Sequence, residues 1–249
     1  GCFCGAEMTV YDALKLPAQA RIDRVVAKKQ FYERGDLSPA NKKLFDHVEK
    51  IYWRYALKTE NTFIPSFVDK ERDYLEIEVI EVVLRDVKQT NRLAEVIMRA
   101  IPYPMLLLFR DGEKIQLWMG QLRKNQADTS RMTLMGTEKT VWRTEDDVFW
   151  DTLSLQSAAT ANFCTLYEAW FDIISCSHLA EAGISVQDIS GDVAREALER
   201  LRNIDREIAS LCSQMKKESQ FNRKMELDAQ LQKLKKEKNK MIEQRSMEI

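Results

Sequence analysis

The chain has 249 residues, with 38 Lys and Arg against 39 Asp and Glu, a formal net charge of -1 that excludes a polycation built to coat nucleic acid along its whole length. Hydrophobic residues make up 45% and aromatic ones 9%, which excludes disorder as the dominant state. Eight Gly and five Pro exclude collagen-like and low-complexity chains and favour long helices.

The longest apolar run, Ala100 to Phe109, is broken by Pro102 and Pro104 and falls far short of the roughly 20 residues a membrane helix needs, so no membrane partner is expected. Gly1 to Met8 has neither a cationic start nor an apolar stretch of signal-peptide length; a cytoplasmic protein is expected, with Met8 a candidate start. The cysteines, Cys2, Cys4, Cys164, Cys176 and Cys212, are odd in number and suit reduced thiols better than a disulfide framework. Cys2 and Cys4 could grip a soft metal, but with only His47 and His178 in the chain a closed zinc site would need distant ligands to converge. Neither a metal nor a cofactor is expected.

Residues 1–37 read as an N-terminal arm. From Leu14 to Arg34 charge and apolar residues alternate without a sustained period, which predicts an ordered but irregular segment anchored by Phe31 and Tyr32. An α+β sheet domain is expected over 38–150. Ser38-Pro39 is an N-cap with Pro at the first helical position, and Leu44, Phe45, Val48 and Ile51 follow at helical spacing, predicting a helix from Pro39 to Lys50. Ile51 to Leu57 and Tyr74 to Leu84 are rich in aromatic and β-branched residues and read as strands, separated by a loop from Thr59 to Asp73. Asn91 to Ile101 carries Leu93, Val96, Ile97 and Ala100 on one stripe before Pro102 stops the helix.

Met105 to Phe109 is apolar on both faces, as a central strand should be. Asp111-Gly112 marks a tight hairpin, Lys114 to Leu122 returns as a strand, and a further strand is predicted around Lys139 to Arg143. The order argues a mainly antiparallel sheet of about five strands with packed helices. Over 151–192 a connecting helical segment is expected, with a helix from Ala158 to Ser175. Over 193–249, Ala194, Ala197, Leu201, Ile204, Ile208, Leu211 and Met215 step by three and four, and Leu227, Leu231, Leu234 and Met241 resume the step with Lys238 in one seam position. The pattern predicts an antiparallel helical hairpin of coiled-coil type, or else an intermolecular coiled coil.

The glycines are never spaced as in a phosphate loop or a dinucleotide turn, and Gly183-Ile184-Ser185 ends in Gln187 where a hydrolase elbow needs Gly. His47 lies beside Asp46 and Glu49 and His178 follows a helix end; either could act as a general base, but the plainer reading of each is a solvated or helix-terminal side chain. Carboxylates on and before the second strand, Asp69, Asp73, Glu76, Glu78 and Glu81, suggest a divergent metal-dependent nuclease as an alternative reading, although the Lys that usually follows the strand acid is missing. The plainer reading makes Glu76 and Glu78 the polar face of a half-exposed strand. Residues 213–249 hold ten Lys or Arg and six Asp or Glu, a local charge of 10 - 6 = +4, which reads as a solvated coiled-coil face or, alternatively, as a surface for phosphate. Lys28, Lys29 and Tyr32 in the arm, with Lys224, Lys235 and Lys236 in the hairpin, are the candidate binding residues, their lysines expected to face outward.

Five segments in order, Lys28-Lys29-Gln30-Phe31-Tyr32-Glu33, Val48-Glu49-Lys50-Ile51-Tyr52-Trp53-Arg54-Tyr55, Glu76-Ile77-Glu78-Val79, Ala100-Ile101-Pro102-Tyr103-Pro104 and Gln220 to Leu227, resemble the bacterial domain-of-unknown-function family 4391 over about residues 14 to 242. Ala27 stands where the family pattern has Pro, and Asp228 where it has Asn. The resemblance implies no reaction. It implies a gene neighbourhood of bacterial defence, with helicases, nucleases and adenine methyltransferases. The expected function is therefore a non-enzymatic accessory subunit of a restriction-type, helicase-associated assembly, with a helicase, nuclease or methyltransferase subunit as protein partner and the basic hairpin as a surface for DNA.

Overall fold

A computed structural model of the chain describes residues 9–128, 131–184 and 191–244. Cys2, Cys4 and Met8, with the metal and start-site readings attached to them, lie outside the described residues. The chain divides into two units, Gly1–Phe171 and Asp172–Ile249.

The first unit opens with α1 (Val10–Leu14), started by a capping box in which Thr9 and Asp12 satisfy each other's backbone N–H groups. The expectation of an irregular arm is corrected here, because β1 (Arg21–Val25) pairs with the sheet and α2 (Lys28–Arg34) is a regular helix. Two turns of helix burying only Phe31 leave no periodic signal to read. α3 (Pro39–Lys43) starts as expected at Ser38, whose hydroxyl accepts from Asn41 N–H, then tightens into a 3-10 turn at Leu44–His47. The helix predicted to Lys50 thus ends early. Val48 is already extended and paired with Leu84 in β2 (Val48–Leu57), where a β-branched side chain packs well against its neighbours.

The segment after β2 holds only α4 (Thr59–Thr62) and a small ribbon of β3 (Phe67–Val68) with β4 (Asp73–Tyr74). There follow β5 (Ile77–Leu84), α5 (Thr90–Ala100), β6 (Met105–Asp111), β7 (Lys114–Lys124), β8 (Met132–Lys139) and β9 (Arg143–Thr144). The sheet has seven strands in the order β1-β2-β5-β6-β7-β8, with β9 beside the start of β7. It is larger than the five strands expected and mixed: its pairings are antiparallel except one, where α5 carries the chain from β5 to a parallel β6, in register from Glu78 opposite Met105 to Val83 opposite Arg110. The β6–β7 hairpin turns at Gly112 as predicted, with φ of +58°. The strand predicted around Lys139 to Arg143 is split. Thr140 lies between β8 and β9, its hydroxyl accepting from Leu117 N–H at 3.1 Å and its carbonyl from the Gln116 amide at 2.9 Å.

Both faces of β5 are covered. Ile80, Val82 and Leu84 join Leu93, Ile97, Phe31, Phe45, Phe109 and Trp118 in one core under α2 and α5. On the β6–β7 pair, the Tyr167 hydroxyl of α6 (Phe163–Glu181) accepts from Gly120 N–H at 3.0 Å and donates to Met105 carbonyl at 2.9 Å. The helix predicted from Ala158 starts five residues later, where Asn162 caps it by accepting from Thr165 N–H.

The second unit is helical. α7 (Gly191–Lys217) and α8 (Phe221–Gln244) are joined by Glu218–Gln220, and Leu179, Ile184, Ala194, Ala197, Leu198 and Leu201 form a core against which Met241 and Ile242 pack. The predicted seam is the inward one: Ile204 and Leu231 are also buried, and Lys238 in its seam position reaches the Asp205 carboxylate at 2.7 Å.

Candidate functional site

β5 sends its carboxylates to opposite faces of the sheet, because successive side chains of a strand alternate. Glu81 lies on one side and is 1% exposed. It accepts from Arg54 at 2.7 Å, from Arg110 at 3.1 Å and from the Tyr11 hydroxyl at 2.7 Å. Arg54 continues to Asp23 at 3.1 Å and lies over the Tyr52 ring at 4.1 Å, and Arg110 continues to Glu145 at 2.8 Å. Burial pushes the Glu81 carboxyl up, but Tyr11, Arg54 and Arg110 outweigh it and leave the group below its ordinary value. Burial and the neighbouring Glu81 charge hold the Tyr11 phenol well above its own. This is a closed network of opposite charges with its acceptors filled, suited to tying α1, β1, β2 and β6 onto β5 rather than to chemistry.

The other face, that of the core residues Ile80 and Val82, carries a cleft. Glu78, 5% exposed, accepts a hydrogen bond from the Trp53 indole and lies beside Glu76, which pairs with Lys58 at 3.2 Å. Burial and then the Glu76 charge push the Glu78 carboxyl up to about 8, against the pull of Trp53. The two glutamates face this cleft of about 190 Å³ between α2 and the sheet, lined also by Gln30, Arg34, Trp53 and Tyr103 over an apolar floor that includes Phe31 and Ile80. A carboxyl biased toward its protonated form beside a second carboxyl, in an apolar cleft, can donate or accept a proton and can exchange that proton for a bound cation.

Of the five carboxylates predicted together, only Glu76 and Glu78 meet. Asp69 is turned back on its own loop, accepting from Glu71 N–H at 2.8 Å and pairing with Arg72 at 2.7 Å, and the Arg72 contact holds it down at about 2. Asp73 lies on β4, opposite Val68. Among the described residues no group of three or more His, Cys, Asp or Glu could hold a metal ion. The half-exposed polar face expected for Glu76 and Glu78 is corrected as well, since Glu78 is buried.

The basic candidates also separate. Lys28 does not face outward: its ammonium donates to Phe45 carbonyl at 2.7 Å and Val48 carbonyl at 2.5 Å, closing the 3-10 turn, and burial lowers its affinity for the proton. Lys29 is exposed and pairs with Glu33 at 3.4 Å. Phe31 and Tyr32 anchor the segment as predicted, both against Phe45. Lys224, Lys235 and Lys236 are exposed on α8.

Trp53, Arg54, Arg110, Arg34 and Tyr103 were not predicted as site residues. One signal was present: a Glu inside a strand flanked by a run apolar on both faces must itself be buried, and must then find a partner.

A family model described as Domain of unknown function (DUF4391) matches residues 14–237. No curated protein matches the chain, and neither does any solved structure.

Proposed function

The chain belongs to the DUF4391 family, and we propose that it is a non-enzymatic interaction subunit of a bacterial defence assembly of restriction type, with the α7–α8 hairpin as its docking arm. The observation that carries this reading is the construction of the hairpin. Its two helices hold each other through the buried seam and through Arg200–Glu237 at 2.7 Å and Lys238–Asp205 at 2.7 Å. Its outer positions include Phe221 and Met225, both exposed apolar side chains beside the turn, with Arg223 and Lys224 among them. Apolar anchors within a cationic rim suit a partner protein with an acidic, grooved surface. The resemblance drawn in the sequence supplies the partner class: a helicase, nuclease or methyltransferase subunit.

Co-expression with the neighbouring genes and pull-down tests the reading. One of those subunits should be retained, and the double variant Phe221→Ser, Met225→Ser should release it while leaving the helical circular-dichroism signal unchanged. A chain that stays monomeric and unattached to every neighbour refutes it. The DNA part is tested separately by Lys235→Glu with Lys236→Glu. If these lysines touch phosphate, retention on DNA drops steeply at low salt and little at high salt, with roughly 0.9 removed from the log-log salt slope per contact.

A further inference from the structure

We propose that the cleft between α2 and the sheet binds a small zwitterion of amino-acid type, its ammonium seated against Glu76 and Glu78 and its carboxylate on Arg34. This goes beyond the interaction role and does not rest on it.

The volume is the first constraint. About 190 Å³ is below the roughly 300 to 1,000 Å³ of sites for drug-sized ligands, so the occupant is a small molecule. The second is the polar groups left open. Gln30, Arg34 and Tyr103 line the cleft, and their side chains make no hydrogen bond or ion pair among the described residues. The Arg34 guanidinium and the glutamate carboxylates therefore line one cavity without pairing with each other, an arrangement that a ligand carrying both charges completes. The third is the apolar and aromatic lining supplied by Trp53, Phe31 and Tyr103, which suits the organic body of such a ligand. A hard divalent ion would instead need more oxygen ligands than this pair supplies.

The sequence points to the same place. Four of the five segments that carry the family resemblance meet at the cleft: Gln30 and Phe31 from the first, Trp53 from the second, Glu76 and Glu78 from the third, and Ile101 and Tyr103 from the fourth.

Binding has a proton signature. The ligand ammonium can be seated only when Glu78 is ionised, so below its raised pKa the Glu78 proton leaves to the buffer as the ammonium enters. The other charged or titratable groups facing this position are Glu76 beside it, Lys58 on Glu76, and Arg34 and Tyr103 across the cleft; Trp53 contributes a neutral N–H.

The test is calorimetric titration of the full chain with each of the common amino acids, with butylamine, butyrate and Mg²⁺ as probes of the separate charges. Each is run near pH 6.5 and near pH 9.5, in two buffers of different ionisation heat. At least one amino acid should bind, releasing close to one proton near pH 6.5; near pH 9.5, where the ligand's own ammonium is partly deprotonated, the release should give way to net proton uptake. Glu78→Gln should abolish the release and weaken binding by about tenfold or more. Arg34→Met, on an exposed helix position and so safe for folding, should weaken the amino acid by a similar factor and leave butylamine unchanged. Several results overturn the proposal: no amino acid binding at about 10 mM, binding without proton release, equal binding of butylamine with no effect of Arg34→Met, or Mg²⁺ bound in preference. Because Arg34→Met folds independently of the buried carboxylates, a misfolded Glu78 variant leaves the proposal open to refutation.

Discussion

Replacing Glu81 by Gln keeps the shape of the side chain and removes its charge. Two guanidinium groups, Arg54 and Arg110, then remain half-buried around a neutral amide, and the Tyr11 hydroxyl loses its charged acceptor. Removing one partner from a buried ion pair costs about 3–5 kcal/mol; Arg54 keeps Asp23 and Arg110 keeps Glu145, so the loss here falls at the lower end of that range. For a unit of this size each kcal/mol lowers the melting temperature by about 2–4 °C, so the expected drop lies toward the lower end of roughly 6–20 °C at pH 7. The pH dependence has a definite sign. The Glu81 carboxyl is held below its ordinary value in the folded state, so its contribution is present above the unfolded pKa and is lost as pH falls through the folded one. Thermal melts followed by calorimetry from about pH 3 to pH 8 should therefore show wild type and variant converging in acid. A double-mutant cycle of Glu81→Gln with Arg54→Met should give a coupling of about 1–3 kcal/mol. A loss below about 1 kcal/mol at pH 7, or a gap that widens toward acid, would refute the view that this network fastens α1 and β6 to β5.

Glu78 has the opposite sign: its carboxyl is raised, so folding favours the protonated form, and wild type should lose stability as pH rises from the ordinary carboxylate value through the raised one. Glu78→Gln should abolish that slope in urea titrations, leaving the variant the more stable protein in alkali. Lys238→Leu places an apolar side chain in the α7–α8 seam and gives up only a partly exposed ion pair with Asp205; the helical unfolding midpoint should rise by the equivalent of about 1 kcal/mol. Gly112→Ala should cost about 1 kcal/mol in a thermal melt, from the left-handed backbone alone, since a Cβ there meets no atom within 4 Å.

What could be read from the sequence was what repeats over a long span or depends on neighbours in the chain. The seam of α7 and α8, down to Lys238 among its leucines, is periodic over many turns, and burial follows the same period. Pro102 ended α5, and Asp111-Gly112 turned the β6–β7 hairpin, because proline and glycine act on the backbone where they stand. The short elements were different. Five residues of β1 with four exposed carry no alternation, and the two turns of α2 bury a single ring, so both acquire their form only from the sheet beside them. Val48 sits at helical spacing from Leu44 yet is extended, since pairing with β5 outweighs the local pattern. The carboxylates show the same division. That Glu76, Glu78 and Glu81 lie on or beside a strand was legible, and alternation alone separates Glu78 from Glu81. Which of them is neutralised by two arginines and which is biased toward its protonated form in a cleft depends on Arg54, Arg110, Trp53 and Lys58, brought from distant parts of the chain. Burial and partner charge are properties of the packed sheet, and tertiary structure alone decides them.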